Sequence, residues 1–331
     1  MSVSDQAFIK AYGASRDADL HRLPPLSVEA NTEPRYRQVA DEEVVHLPAI
    51  EEPILAAHID FQLPGQVRLG GGAGVEVPVA GRAPLSSFAQ TPPVHDAAEP
   101  AFEVEGFRWP EPCNRLVERA GKAFETTANE ILADDRDQNR VIAVGGVQRG
   151  EGRSTAILCL ARQLAIMGAK TALVDAHFAN PALAIALGLA VEIGWEAVIG
   201  GEFPLSDALV LSKNDLLTLL PLRGPTQDPN ALARSIQIAV TVGMLRDSYD
   251  RVLVDIGPVA ERNAAGLTLL SNVSTAGVLV VRDARKTLKS NFDAAIGHIR
   301  GTGAQLLGVA ETFVRGVDEK SQQVIRRATA A

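Results

Sequence analysis

Apolar residues recur at three- and four-residue spacing through NRLVERAGKAFETTANEILADD, residues 114–135, and that period predicts a helix. The next segment, RVIAVGGV at 140–147, is apolar almost without a break and rich in Val and Ile, which predicts a strand buried on both faces. The two patterns then take turns. Helical spacing returns in STAILCLARQLAIMGAK, and a strand follows in TALVDA. DLLTLLPL predicts a further strand, SIQIAVTVGMLRDSYD a helix and RVLVDIG a strand. AGVLVVRD is another strand, TLKSNFDAAIGHIRGTG a helix and LLGVAETFV the last strand. Strands that are apolar on both faces and alternate with helices predict an α/β fold. Its sheet should be mostly parallel with helices on both faces, and ligands should sit at the carboxyl ends of the strands.

Before residue 113 neither period is present. Thirteen of the 19 prolines lie at or before Pro112, and stretches such as RLPPLSVEANTEP and RLGGGAGVEVPVAGRAP offer little apolar surface to offset the entropy of ordering. The expectation is a long disordered, Pro-rich, acidic tail over 1–112 and one domain over 113–331. EEPILAAHIDFQL is read as a solvated linker, with docking on the domain or on a partner as the alternative. FEVEGFRWPEP, with its two aromatics, is a candidate to fold back onto the domain edge.

Charge sharpens this division. The chain has a formal net charge of -8; residues 1–112 hold 17 acidic and 8 basic side chains, and the remainder 23 and 24. That balance argues against nucleic acid as a partner. The two cysteines, Cys113 and Cys159, have no metal-type spacing, and Cys159 falls in an apolar helical pattern that suits a reduced core thiol. No segment has the apolar length of a signal peptide or a membrane span, so the expectation is a cytoplasmic chain without direct membrane insertion.

The candidate chemistry lies in VQRGEGRST, residues 147–155. It follows a strand and opens a helix, which is the setting of a phosphate-binding loop. Gly150 and Gly152 permit close backbone approach, and the amides of Gly150, Glu151, Gly152, Arg153, Ser154 and Thr155 would face an anion at a helix N-terminus. The strict pattern G-x4-G-K-[ST] fails twice, at Val147 and at Arg153. Two apolar strands downstream end in Asp175 and Asp255, and Asp255 has the form of a Walker B carboxylate. The expected ligand is ATP or ADP with Mg²⁺, the metal held by Ser154, Asp175 and Asp255, with Asp175 and Arg153 as catalytic candidates. The competing reading is an ordinary glycine-rich turn.

With these motifs in place the sequence resembles the cytoplasmic domain of the bacterial tyrosine kinases (BY-kinases), which lie within the MinD/ParA group of P-loop ATPases. The likeness covers about residues 114–316 and rests on the loop, ILCLARQLAIMGAKTALVDAHFANPAL, GWEAVIGGEFPLSDALV, PLRGPTQDPNALARS and YDRVLVDIGPV. It implies a role in exopolysaccharide or capsule export, beside a membrane polysaccharide co-polymerase acting in trans. Several positions depart from the family. The Asp-x-Asp of the second strand is Asp175-Ala176-His177, and His177 is expected to be a partly exposed filler. The ring-forming Glu-x2-Arg-x2-Arg falls on Lys122, Glu125 and Ala128, which implies a monomer or dimer. VDEKSQQVIRRATAA has no tyrosine; the three in the chain are Tyr12 and Tyr36, candidate substrates in the tail, and Tyr249, expected to be structural. The asparagine that faces adenine is Thr312, and the signature lysine of the MinD/ParA branch is Gln148. The implied function is therefore regulatory, with weak or absent kinase activity. The alternatives are an active tyrosine kinase or ATPase, or a positioning ATPase of the MinD/ParA kind.

Overall fold

A computed structural model describes residues 36–38, 58–61, 98–133, 140–260, 264–273, 275 and 277–314. These fall in one compact unit that begins at Arg35. The strands, in chain order, are β1 (Tyr36–Gln38), β2 (His58–Phe61), β3 (Phe102–Val104), β4 (Val141–Gly146), β5 (Thr171–Asp175) and β6 (Leu189–Val191). They continue with β7 (Val210–Ser212), β8 (Leu217–Leu220), β9 (Arg251–Pro258), β10 (Gly277–Asp283) and β11 (Leu306–Thr312). The helices are α1 (Glu111–Ala133), α2 (Arg153–Ile166), α3 (Leu183–Ala186), α4 (Trp195–Ile199) and α5 (Leu205–Ala208). After them come α6 (Pro229–Ala233), α7 (Ile236–Ser248), α8 (Ala265–Asn272) and α9 (Lys289–Gly301).

Nine strands form the main sheet in the order β2-β11-β10-β4-β9-β5-β8-β7-β3. From β11 across to β8 every neighbouring pair is parallel. The β7–β8 hairpin and the β2–β11 edge pair are antiparallel. Side chains along a strand alternate between faces, and here both faces are covered. On β4, Val141 and Ala143 enter one core, while Ile142 and Val144 enter the other. The first core packs against α7, α8 and α9, the second against α1, α2 and α3. This double burial is why these strands read as continuous apolar runs, and the expected α/β architecture is the one observed.

Two polar contacts tie the outer pieces to this sheet. The Arg251 guanidinium, buried at the start of β9, donates to the Ile131 carbonyl from Nη2 at 2.9 Å, satisfying an end carbonyl of α1. Tyr249 is buried and its hydroxyl donates to the Ala98 carbonyl at 3.2 Å, the structural role expected for it. Cys113 and Cys159 are both buried free thiols.

The segment before residue 113 contributes more to the sheet than its composition suggests. Phe102–Val104 joins the far edge parallel to β7, so FEVEGFRWPEP does fold back onto the domain. Asp215 fastens the residues just beyond this strand: its carboxylate accepts from the Phe107 amide at 2.7 Å and from Trp109 Nε1 at 2.8 Å. His58–Phe61 pairs antiparallel with β11, and Tyr36–Gln38 pairs with β6. For those seven residues the reading as unstructured linker gives way. The edge of β11 presents unpaired N–H and C=O groups, and a short β-forming tetrapeptide gains ladder bonds there. The expectation of disorder for the rest of 1–97 lies outside the described residues.

Candidate functional site

β4 ends at Gly146 against its neighbours β9 and β10, and the chain turns at once into α2. The turn is built on two left-handed glycines, Gly150 and Gly152, both at φ 78°. Gly152 is the N-cap of α2 and supplies no side chain to cap it. The first amides of the helix are therefore left for something other than a capping side chain. Glu151 holds the turn in shape. Its carboxylate accepts from the Gln148 amide at 2.7 Å and from Thr287 Oγ1 at 2.5 Å. Thr312, at the end of β11, donates to the Glu151 carbonyl at 2.7 Å, so the residue aligned with the family's adenine-facing asparagine serves the loop backbone.

Arg153, the first residue of α2, points back under the loop and is 8 % exposed. Its Nε donates to Asp255 Oδ1 at 2.6 Å, and its Nη2 lies 3.2 Å from His177 Nδ1. Asp255 also accepts from the Gly257 amide at 3.1 Å on Oδ1 and from Ser154 Oγ at 3.3 Å on Oδ2. The strand itself makes room for this cluster. The β4–β9 register passes from Val144 opposite Asp255 to Gly145 opposite Gly257, so Ile256 is bulged out. Gly257 takes φ 77°, and a β-carbon there would stand 2.5 Å from His177 Cδ2. His177 is thus packed flat on glycine backbone and buried, and the expectation of a partly exposed filler is corrected: the missing β-carbon and the Arg153 fork draw the ring inward. Burial first, and Arg153 second, lower its pKa to about 4. It is therefore neutral near pH 7, with Nδ1 accepting from Arg153.

Asp175 lies directly across the sheet from Asp255. Its oxygens accept from the backbone amides of His177, Ala182 and Leu183 at 3.1, 2.9 and 3.0 Å. These bonds aim the carboxylate at its own loop and at the first turn of α3. Burial, and then the Asp255 carboxylate, raise its pKa to about 6.

The loop residues Gly150–Thr155 and Asp255 are thus brought together, and Asp175 is adjacent but engaged elsewhere. A magnesium ion asks for open oxygen ligands and a local excess of negative charge. Here Arg153 and Asp255 cancel, Ser154 donates into the same pair, and the Asp175 oxygens are amide-bonded. The donor set as arranged does not suit that ion. Among the described residues no three His, Cys, Asp or Glu side chains are gathered so as to hold a metal. Sequence spacing could not have found Thr287, which lies in no motif and meets the loop only through the sheet. A separate groove of about 730 Å³ lies against α6, lined by residues between Glu196 and Ser235 and by none of the loop.

Fold and loop together define the class: an α/β protein of the P-loop NTPase type. Within it the chain is similar to proteins named as tyrosine-protein kinases and to MinD. It is 24 % identical over 197 residues to the tyrosine-protein kinase CpsD of Streptococcus agalactiae serotype III, covering 59 % of this chain and 83 % of that one. It is 29 % identical over 143 residues to the succinoglycan biosynthesis transport protein ExoP of Rhizobium meliloti, covering 41 % and 18 %. The septum site-determining protein MinD of Synechocystis is 32 % identical over 157 residues, covering 45 % and 58 %. The fold is that of the chimerical protein CapA2B2, with a TM-score of 0.56, 22 % identity and 66 % and 96 % of the two chains covered. No family model matches the chain.

Proposed function

We propose that this chain is a nucleotide-binding, BY-kinase-like protein of exopolysaccharide or capsule biosynthesis and export. It holds ATP or ADP on the amides of Gly150–Thr155. It acts from the cytoplasm as the regulatory partner, in trans, of a membrane polysaccharide co-polymerase, and its kinase activity is weak or absent. Among the described residues no helix is long and apolar enough to cross a membrane, which agrees with recruitment through a partner. The name of ExoP, a succinoglycan biosynthesis transport protein, supports the export setting, and that of CpsD supports the kinase likeness.

One observation carries the reading: the buried ion pair between Arg153 and Asp255. It keeps a cation under a loop shaped for phosphate, yet ties up the carboxylate that phosphoryl transfer would use. Loss of one transition-state contact of this kind slows chemistry by about 10² to 10³, whereas the loop amides that bind phosphate remain. Tyr249 is buried and cannot accept phosphate without unfolding.

The test is to incubate the purified full chain with ATP and Mg²⁺, probe for phosphotyrosine and measure phosphate release, with nucleotide binding followed by calorimetry. The expected result is binding with no phosphotyrosine and with hydrolysis near background. Phosphotyrosine that disappears in Asp255→Ala would establish the active kinase instead. Sustained hydrolysis without phosphotyrosine favours the ATPase alternatives, among them the MinD-type positioning ATPase.

A further inference from the structure

The carboxylate that P-loop proteins use for a divalent ion is here closed by an arginine of the loop itself. Asp255 is 1 % exposed and accepts three bonds, the shortest from Arg153 Nε at 2.6 Å. To reach Asp255, a divalent ion would have to break a charge-assisted hydrogen bond and then sit beside a buried guanidinium. Both requirements oppose it. The second carboxylate expected at the site, Asp175, faces three backbone amides, and the position two residues on is His177, whose Nδ1 is taken up by Arg153.

A polyphosphate meets the opposite conditions. It brings negative charge and only acceptor atoms. The loop offers the uncapped start of α2 and two left-handed glycines that let oxygen atoms approach the backbone. It also offers a cation already fixed in position. Arg153 uses Nε and Nη2 within the protein, and its Nη1 lies toward the loop floor, 3.4 Å from where a β-carbon on Gly146 would stand. A planar guanidinium can hold a carboxylate with one edge and turn another toward phosphate, as a lysine ammonium on one flexible stem cannot.

We propose that the loop binds the polyphosphate of a nucleotide without a divalent ion, on the amides at the start of α2, with the Arg153 guanidinium occupying the carboxylate that a metal would need. This rests on the nucleotide reading above and specifies how that site works: as a metal-free nucleotide holder.

The experiment is calorimetric titration of ADP and ATP into the full chain, once with excess Mg²⁺ and once with EDTA. Binding in EDTA should be at least as tight as in Mg²⁺, because Mg²⁺ bound to free nucleotide competes with a site that takes the metal-free form. A parallel spectroscopic measurement uses Mn²⁺: its free-ion electron paramagnetic resonance signal with ADP should not fall when protein is added. Arg153→Lys keeps the charge but loses the fork that spans Asp255 and His177, and should make the affinity respond to Mg²⁺ by about tenfold or more. Wild-type binding that is tenfold tighter in Mg²⁺, or Mn²⁺ captured only when protein and ADP are both present, overturns the metal-free site and leaves the nucleotide reading standing. Absence of binding in both buffers removes both.

Discussion

At the scale of the residue, the Arg153–Asp255 pair decides both stability and chemistry. Removing one member of a buried ion pair strands the other charge, a loss of about 3–5 kcal/mol. Arg153→Ala should therefore destabilise strongly in urea denaturation, and adding Asp255→Asn should restore most of the loss. Additive effects in that double-mutant cycle would mean the two side chains are not coupled. Gly257 is the second such residue. Alanine there meets the His177 ring and a left-handed backbone, which alone is worth about 1–2 kcal/mol. The melting temperature should fall by several degrees in a thermal shift assay, and an unchanged value would contradict the bulge. His177 also sets a pH response. Its folded pKa is lowered to about 4, so the stability it contributes is present above about 6.5, its unfolded value, and is lost as pH falls toward 4. Asp175 runs the other way: its folded pKa is raised to about 6, so its contribution is present below 3.8 and is lost as pH rises through 6. The two oppose each other in one window. The His177→Gln variant should accordingly lose less stability than wild type between pH 6.5 and 4, measured as the change in melting temperature.

At the scale of the element, the loop is a junction of strand, turn and helix, and its parts are local in sequence. What anchors it is not local. Glu151 is held by Thr287 and Thr312, from the segments after β10 and at the end of β11. The edge of that last strand is itself paired with His58–Phe61, with Ile59 opposite Ala310. Ile59→Pro fixes a backbone angle unsuited to the strand and disturbs the pairing with β11. Hydrogen exchange at residues 308–311 should quicken in that variant. Unchanged protection there would show that β2 adds nothing to the edge.

At the scale of the whole molecule, assembly depends on which face of α1 is free. Lys122 and Glu125 are exposed on that helix, but Ala128 is fully buried against the sheet side. The third position of the family's ring motif thus faces inward, and the first two have the wrong charges for its ion pairs. The purified chain should scatter light as a monomer or dimer. A stable closed ring would place the contact on another surface.

The fold's central elements were legible because each carries its period within its own residues. β4, β5, β9, β10 and β11, with α1, α2, α7 and α9, are long enough to show it. α3, α4 and α5 are four or five residues long, too short to display a helical period, and β6 and β7 have three residues each. The loop, its glycines and the strand-end aspartates were visible as a motif, since spacing along the chain is what a motif records. The sequence could not say where the Arg153 guanidinium would turn, because that depends on residues 24 and 102 positions away. Only the sheet, by setting β9 between β4 and β5, brings Asp255, His177 and Arg153 within hydrogen-bond reach. The charge balance of the site is a property of that proximity: Coulomb and hydrogen-bond energies depend on distance in space, which the order of residues does not contain.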